Sequence, residues 1–254
     1  VGRIIFTDLD GTLLDFDTYR PAKNAVELLS NLDQAGVRVV PATSKTAAEV
    51  RPLMAELGLP GPAVVEGGGV LARSDGVDQL MGAPRADLIG ILERLQNEAW
   101  PVRGMSQMSV GEVVELTGLS TDGARRAMIR QASEPFIFTH EMPSEKLDEL
   151  ARTIAQVEAG VVRGGRFWHL LGAGVDKGGG VRVVVESGIG GDRPATAAVG
   201  DAWNDLAMFE AVDHAYLLGN EVASADVPAG VVRIGESGPE GFSKAVHRVL
   251  DLWR

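Results

Sequence analysis

Apolar positions fall into two rhythms along this chain, one short and continuous, the other spaced like one face of a helix. Arg3–Thr7 is a short apolar run of the kind a buried parallel strand shows, and the Asp10-Gly11 turn signal closes it. From Pro21 to Gln34 the residues Ala22, Ala25, Val26, Leu28, Leu29 and Leu32 recur at helical spacing, with Gly36 to stop the helix. A strand is predicted next at Val37–Ala42, a second helix at Thr46–Leu57 ending on Gly58, and a third apolar run at Ala63–Val65. Alternation of this kind implies strand-helix-strand crossovers and one parallel sheet.

The same rhythm returns late in the chain: helix Lys177–Ser187, strand Thr196–Val199, helix Trp203–Ala211, strands His214–Leu218 and Val231–Ile234, and helix Pro239–Trp253. One sheet can absorb both ends. Between them the pattern changes, with helices at Arg85–Glu98, Thr121–Gln131 and Ser144–Val157 and strands at Phe136–Thr139, Val161–Arg163 and Phe167–Leu171. The expected architecture is therefore α/β: a Rossmann-like open parallel sheet formed by residues 1–83 and 173–254, interrupted by an inserted α/β module at 84–172. The glycines at 67–69, 172 and 174 are hinge candidates.

Composition narrows the function. The 254 residues carry 35 acidic and 24 basic side chains, a net charge of −11, which argues against a nucleic-acid partner. With no cysteine, a disulfide framework, a Cys nucleophile and thiolate-held metals are excluded. The four histidines, at 140, 169, 214 and 247, are too far apart in sequence to form a helical metal pair, so zinc is not expected. No apolar stretch reaches the ~18 residues that cross a bilayer. Two aspartates within the opening VGRIIFTDLD also speak against an export signal, so a cytoplasmic protein without a membrane partner is expected. The sequence carries no signal of oligomeric state.

Four segments carry chemistry. Asp8-Leu9-Asp10-Gly11-Thr12 follows the first strand directly, at the sheet edge where open α/β folds bind ligands. A pair of carboxylates there can divide labour, one attacking and the other serving the leaving group. A solvated Asp-Gly turn is the plainer alternative. Thr43-Ser44-Lys45-Thr46 opens the second helix, where hydroxyls and backbone N–H groups suit an anion, although Ser and Thr are also ordinary helix caps. Lys177, near a helix N-terminus, sits against the favoured charge placement and calls for a compensating anion. Gly200-Asp201-Ala202-Trp203-Asn204-Asp205 places two more acids at the end of a strand. Asp8, Asp10, Asp201 and Asp205 in one crevice would repel one another unless a hard cation joined them, and oxygen ligation beside phosphate selects Mg²⁺.

These four segments, in this order, resemble the motifs of the haloacid dehalogenase superfamily of phosphotransferases over nearly the whole chain. The inserted module is similar to the large cap of its sugar-phosphatase branch. Thr-Ser-Lys-Thr at 43–46, Leu-Thr-Gly-Leu-Ser at 116–120, Gly-Gly-Arg-Phe-Trp-His at 164–169 and Gly-Pro-Glu-Gly-Phe at 238–242 resemble the mannosyl-3-phosphoglycerate phosphatase family. Two positions depart from the usual pattern: Gly67 where Asn commonly follows the Glu, and Ala202 where Ser or Gly is usual.

The resemblance implies a Mg²⁺-dependent phosphatase of mannosyl- or glucosyl-3-phosphoglycerate, with another sugar-phosphate phosphatase or a phosphomutase as the alternatives. It assigns Asp8 as nucleophile and Asp10 as general acid and base. Asp8, the Asp10 carbonyl and Asp201 would be metal ligands, with Asp205 a further ligand or their orienter. Thr43, Ser44, Lys177 and Asn204 would hold the phosphate. For the rest of the substrate, Lys45 and Arg166 are expected on the glycerate carboxylate, His169 and Trp168 on the sugar, and Glu240 near the site. In an extended strand Arg166 and Trp168 would share one face, and Phe167 and His169 the other.

Overall fold

The computed structural model describes residues 2–254, and the alternation becomes a layered α/β core with a second sheet set over one edge. The first core segment runs β1 (Arg3–Thr7), α1 (Ala25–Gln34), β2 (Val37–Pro41), α2 (Ala47–Leu57), β3 (Ala63–Val65), β4 (Val70–Ala72) and β5 (Gln79–Leu80). The cap then runs α3 (Arg85–Asn97), β6 (Val102–Gly104), α4 (Val110–Thr117), α5 (Thr121–Ala127), β7 (Glu134–Phe138), α6 (Ser144–Ala155), β8 (Ala159–Arg163) and β9 (Trp168–Gly172). The chain returns to the core as α7 (Lys177–Glu186), β10 (Ala195–Gly200), α8 (Leu206–Phe209), β11 (His214–Leu218), β12 (Val232–Ile234) and α9 (Gly238–Leu252).

The main sheet has the order β12-β11-β10-β1-β2 and every pair is parallel. Its central strands are apolar on both faces because both are covered. Ile5, Val39 and Val199 point into a cluster with Leu29 of α1, Val50 of α2 and Val246 of α9. Their neighbours Ile4, Phe6 and Val40 point the other way, against Val181 and Val184 of α7 and Phe209 of α8. The arrangement places the C-terminal ends of β1 and β10 side by side, with Thr7 opposite Val199. Residues from the two distant ends of the chain therefore meet at one sheet edge.

The cap sheet is antiparallel, in the order β6-β7-β9-β8. Leu88, Leu92 and Leu95 of α3 and Leu150 and Ile154 of α6 pack on one side of it with Phe136 and Leu170. A smaller cluster joins α4 and α5 to Phe167.

Several elements differ from the pattern-based reading, each for a visible reason. β3 makes one parallel bridge to the main sheet, Ala42 to Val64, and is then drawn into a hairpin with β4 by the tight turn at Glu66–Gly68. β4, β5, β6 and α4 were not expected, being short or lacking a clear period. The helix expected at Thr121–Gln131 stops at Ala127, and the N–H groups of Gln131 and Ala132 bond to the Glu66 carboxylate instead. The helix expected at Trp203–Ala211 begins as a 3₁₀ turn, because the Asp205 carboxylate gathers the N–H groups of Asp201 and Ala202. No helix of the described residues is long and apolar enough to cross a membrane.

Candidate active site

Asp8 is the first residue past β1, and its N–H continues the parallel ladder by donating to Val199 O at 2.9 Å. The chain then turns at Gly11, whose φ of +81° lies in the left-handed region and whose α-carbon faces Asp201: a Cβ there would lie 2.3 Å from Asp201 Oδ2. Glycine at this position thus serves both the turn and the close approach of the two loops. Thr12, at the end of the same turn, is fully buried and donates its hydroxyl to Asp201 Oδ1 at 2.8 Å.

Behind these loops lies a buried ionic cluster. Lys177 opens α7 after the cap, 1% exposed, and its Nζ donates to Asp8 Oδ1 at 2.8 Å and Asp205 Oδ1 at 2.7 Å. The anion that its place in the first turn of a helix demands is therefore supplied by carboxylates from the segments that follow β1 and β10. Burial would lower the Lys177 pKa, but Asp205 and Asp8 hold it above the ordinary lysine value. Asp205 is fully buried, and its other oxygen accepts from the N–H groups of Asp201 and Ala202, both at 3.0 Å. Both of its oxygens are engaged, one by Lys177 and the other by the 201–202 loop, so it braces the cluster.

Asp8 and Asp201 are less well compensated. Burial pushes the Asp8 carboxyl up to about 7, with the Asp205 and Asp10 charges adding to the rise against the pull of Lys177. Burial likewise pushes Asp201 up to about 8, reinforced by Asp8 and Asp205. Asp8, Asp201 and Asp205 each offer an oxygen within 4.8 Å of the others. An all-carboxylate set whose members resist ionisation together could hold a hard divalent cation.

These shifts have a measurable consequence. Aspartates titrate near 3.8 when unperturbed, so the folded protein retains protons that the unfolded chain releases between about pH 4 and pH 8, and stability falls as pH rises through that window. Mg²⁺ would compete with those protons. Its effect on the melting temperature is expected to be small at about pH 5 and several degrees at about pH 8, by scanning calorimetry. An equal shift at both pH values would contradict the cation assignment to this cluster.

Over the cluster lies a cleft of about 790 Å³, a volume that includes its solvent-filled mouth. Asp8, Asp10 and Asp201 form its floor, Thr43, Ser44 and Asn204 a flank, and the cap its roof. Lys45 also faces the cleft and pairs with Asp10 Oδ2 at 2.8 Å, with Glu49 at 3.8 Å and the Tyr19 ring 4.7 Å from Nζ. Asp10 Oδ1 and Asn204 Oδ1 are buried without a partner in the protein.

The cap residues divide. Arg166 sits in the turn between β8 and β9, with its guanidinium over the Phe16 ring at 4.5 Å and the Tyr19 ring at 5.2 Å. Gly164 N–H donates to Phe167 O across that turn at 2.9 Å, which releases Arg166 from strand alternation. Arg166, Phe167 and His169 consequently all line the cleft. Burial, with the charges of Arg130 and Lys177, pushes the His169 imidazole down to about 3, so it is neutral. Trp168 points away from the cleft, edge-on to Phe138 at 5.7 Å within the cap core. Glu240 is exposed on the first turn of α9 and reaches Lys244 at 3.4 Å, and it is not part of the cleft lining.

A model of the haloacid dehalogenase-like hydrolases matches residues 5–103 and 117–229. The chain belongs to this family. Along its length the hydrolase is 32% identical to a glucosyl-3-phosphoglycerate/mannosyl-3-phosphoglycerate phosphatase of Persephonella marina, over 98% of this chain and 97% of that one. Its fold is similar to a Thermoplasma acidophilum protein, with a TM-score of 0.73, 21% identity and 97% of each chain covered. It is also similar to the sucrose-phosphatase of Synechocystis, solved with sucrose and phosphate, with a TM-score of 0.69, 16% identity and 97% of each chain covered.

Four residues of the hydrolase's cleft region carried no sequence signal of their own. Thr12 was legible only as part of its motif, Tyr19 and Glu221 lie in loops without pattern, and Arg130 falls where a helix was expected to continue.

Proposed function

We propose that this hydrolase removes the phosphoryl group from mannosyl-3-phosphoglycerate or its glucosyl analogue, in a Mg²⁺-dependent reaction through an aspartyl-phosphate. The observation that carries the chemistry is Lys177 held between Asp8 and Asp205 at the floor of a capped cleft. The substrate class rests on near full-length likeness to the Persephonella marina phosphatase.

Lys177 fixes Asp8 through Oδ1, which leaves Oδ2 without a hydrogen bond and available to attack phosphorus. As the new O–P bond forms, the ester P–O bond breaks, and Asp10 gives its proton to the departing alkoxide. Asp10 then takes a proton from water, whose oxygen attacks the aspartyl-phosphate and restores the Asp8 carboxylate. Asp8, Asp201 and the Asp10 main-chain carbonyl would hold Mg²⁺, with Asp205 as their brace. The ion, when bound, offsets the charge that otherwise keeps carboxylate and phosphate apart. Thr43, Ser44 and Asn204 receive the phosphoryl oxygens. Lys45 orients Asp10 through their ion pair, Arg166 supplies positive charge at the cleft mouth, and neutral His169 offers a hydrogen bond to a sugar hydroxyl.

Phosphate release with Mg²⁺ from mannosyl-3-phosphoglycerate, glucosyl-3-phosphoglycerate and a plain hexose phosphate tests the reading. One of the glycosylated substrates is expected to have the highest kcat/KM. Preference for the hexose phosphate would overturn the substrate class, and isomerisation without phosphate release would overturn hydrolysis.

A further inference from the structure

Three cations other than Lys177 face the cleft, and they are not equally free. Lys45 is neutralised by Asp10. Arg166 lies over two aromatic rings at the mouth. Arg130, just past α5, is half-buried and has no carboxylate within ion-pair distance among the described residues. Its Nε donates to Ala127 O at 2.9 Å, and Nη1 donates to Ser44 O at 3.1 Å and Ser133 Oγ at 3.0 Å. Nη2 makes no hydrogen bond to the protein. A guanidinium so placed is locked in one orientation by neutral acceptors, stays charged, and has two unused N–H donors on Nη2. Glu49 and Glu66 offset its charge only from beyond ion-pair distance, so a ligand carboxylate reaching Nη2 would be its first direct ion-pair partner.

The bond to Ser44 O sets Arg130 against the segment that flanks Asp8, so it reads what lies next to the phosphoryl group. In a 2-glycosyl-3-phosphoglycerate only two carbons and the ester oxygen separate the carboxylate carbon from phosphorus. A carboxylate bound close to the phosphoryl pocket falls to Arg130, whereas Arg166 stands at the mouth.

Glu66 explains why Arg130 is there. It is 1% exposed, with a φ of +53° that strains a non-glycine residue, and it ends β3 on the core side. Its carboxylate accepts from Gln131 N at 2.8 Å, Ala132 N at 3.0 Å and Ser133 Oγ at 2.6 Å. These bonds end the helix early and swing the residues after Ala127 against the core. Ser133 Oγ in turn accepts from Arg130, so a continuous chain of hydrogen bonds runs from Glu66 through Ser133 and Arg130 to Ser44.

We propose that Arg130 is a specificity-determining residue that binds the carboxylate of the substrate beside its phosphate, and that Glu66 is the positioning residue that holds it. This deepens the phosphoglycerate reading above and rests on it.

The test uses two probes that differ chiefly in the carboxylate, 3-phosphoglycerate and glycerol 3-phosphate, alongside mannosyl-3-phosphoglycerate. Wild-type protein is expected to favour 3-phosphoglycerate in kcat/KM, and Arg130→Ala to reduce that preference about 10–100-fold, as loss of a charge-assisted hydrogen bond would. Arg130→Lys, which retains charge without the bonds to Ala127, Ser44 and Ser133 that fix the guanidinium, should recover part of it. Glu66→Gln should reduce the same ratio by a smaller factor, chiefly through KM, in protein whose circular dichroism is unchanged. Parallel losses on both probes would reduce Arg130 and Glu66 to structural roles and overturn the proposal, as would a wild type that ignores the carboxylate. If wild type favours 3-phosphoglycerate but does not hydrolyse the glycosylated compounds, the substrate reading fails and the Arg130 assignment is judged on the probe ratio alone.

Discussion

Asp8→Asn is expected to lower kcat by on the order of 10⁴–10⁶-fold, the scale reached when a covalent nucleophile is removed. The amide occupies nearly the same volume and can still accept from Lys177, so the loop between β1 and α1 has no steric reason to rearrange. What disappears is the anionic oxygen opposite the one that Lys177 holds. Rapid-quench phosphate release with excess substrate and Mg²⁺ reads the effect. A loss of less than about tenfold would mean that water attacks phosphorus directly.

Lys177→Ala should be costly in both stability and turnover. Its ammonium is 1% exposed and is shared by two carboxylates that are themselves buried. Removing one member of such a cluster leaves uncompensated charge and typically costs about 3–5 kcal/mol. Urea unfolding of the metal-free protein measures that cost directly. Where the variant still folds, the lost electrostatic stabilisation should lower kcat by a further ~10²–10³-fold. A stability loss under about 1 kcal/mol would show that the cluster is solvated, and with it the basis for the raised Asp8 and Asp201 carboxyls would fall.

The parts of this molecule that could be read in advance are those set by local repetition. Ile4 to Phe6, Val39 to Val40 and Ala197 to Val199 are apolar on alternate faces because both faces of the sheet are covered, and that leaves a plain mark in the sequence. The acidic motifs were legible because a strand ends just before each of them, and Asp8 and Asp201 do meet across the β1–β10 ladder. The cap was harder. α4 and β6 are too short to show a period, and the length of α5 is set by the Glu66 carboxylate, a residue some sixty positions earlier that no local pattern reveals. The same holds for side-chain direction. Strand alternation places Arg166 with Trp168, but the turn at Gly164–Phe167 brings Arg166 into the cleft while Trp168 stays in the cap core. Glu240, legible only as part of a motif, lies on the outer surface of α9.

The most direct measurement is to trap the covalent intermediate. Asp10→Asn can neither protonate the departing alkoxide nor deprotonate the attacking water, so both steps should slow and turnover should fall by about 10²–10⁴-fold. Wild-type protein, mixed with mannosyl-3-phosphoglycerate and Mg²⁺ and quenched in acid within the first turnover, is expected to carry one phosphoryl group, mapped by peptide mass spectrometry to Asp8. Phosphate release by Asp10→Asn at the wild-type rate, or wild-type turnover that never places a phosphoryl group on Asp8, would contradict the assignment of the two aspartates.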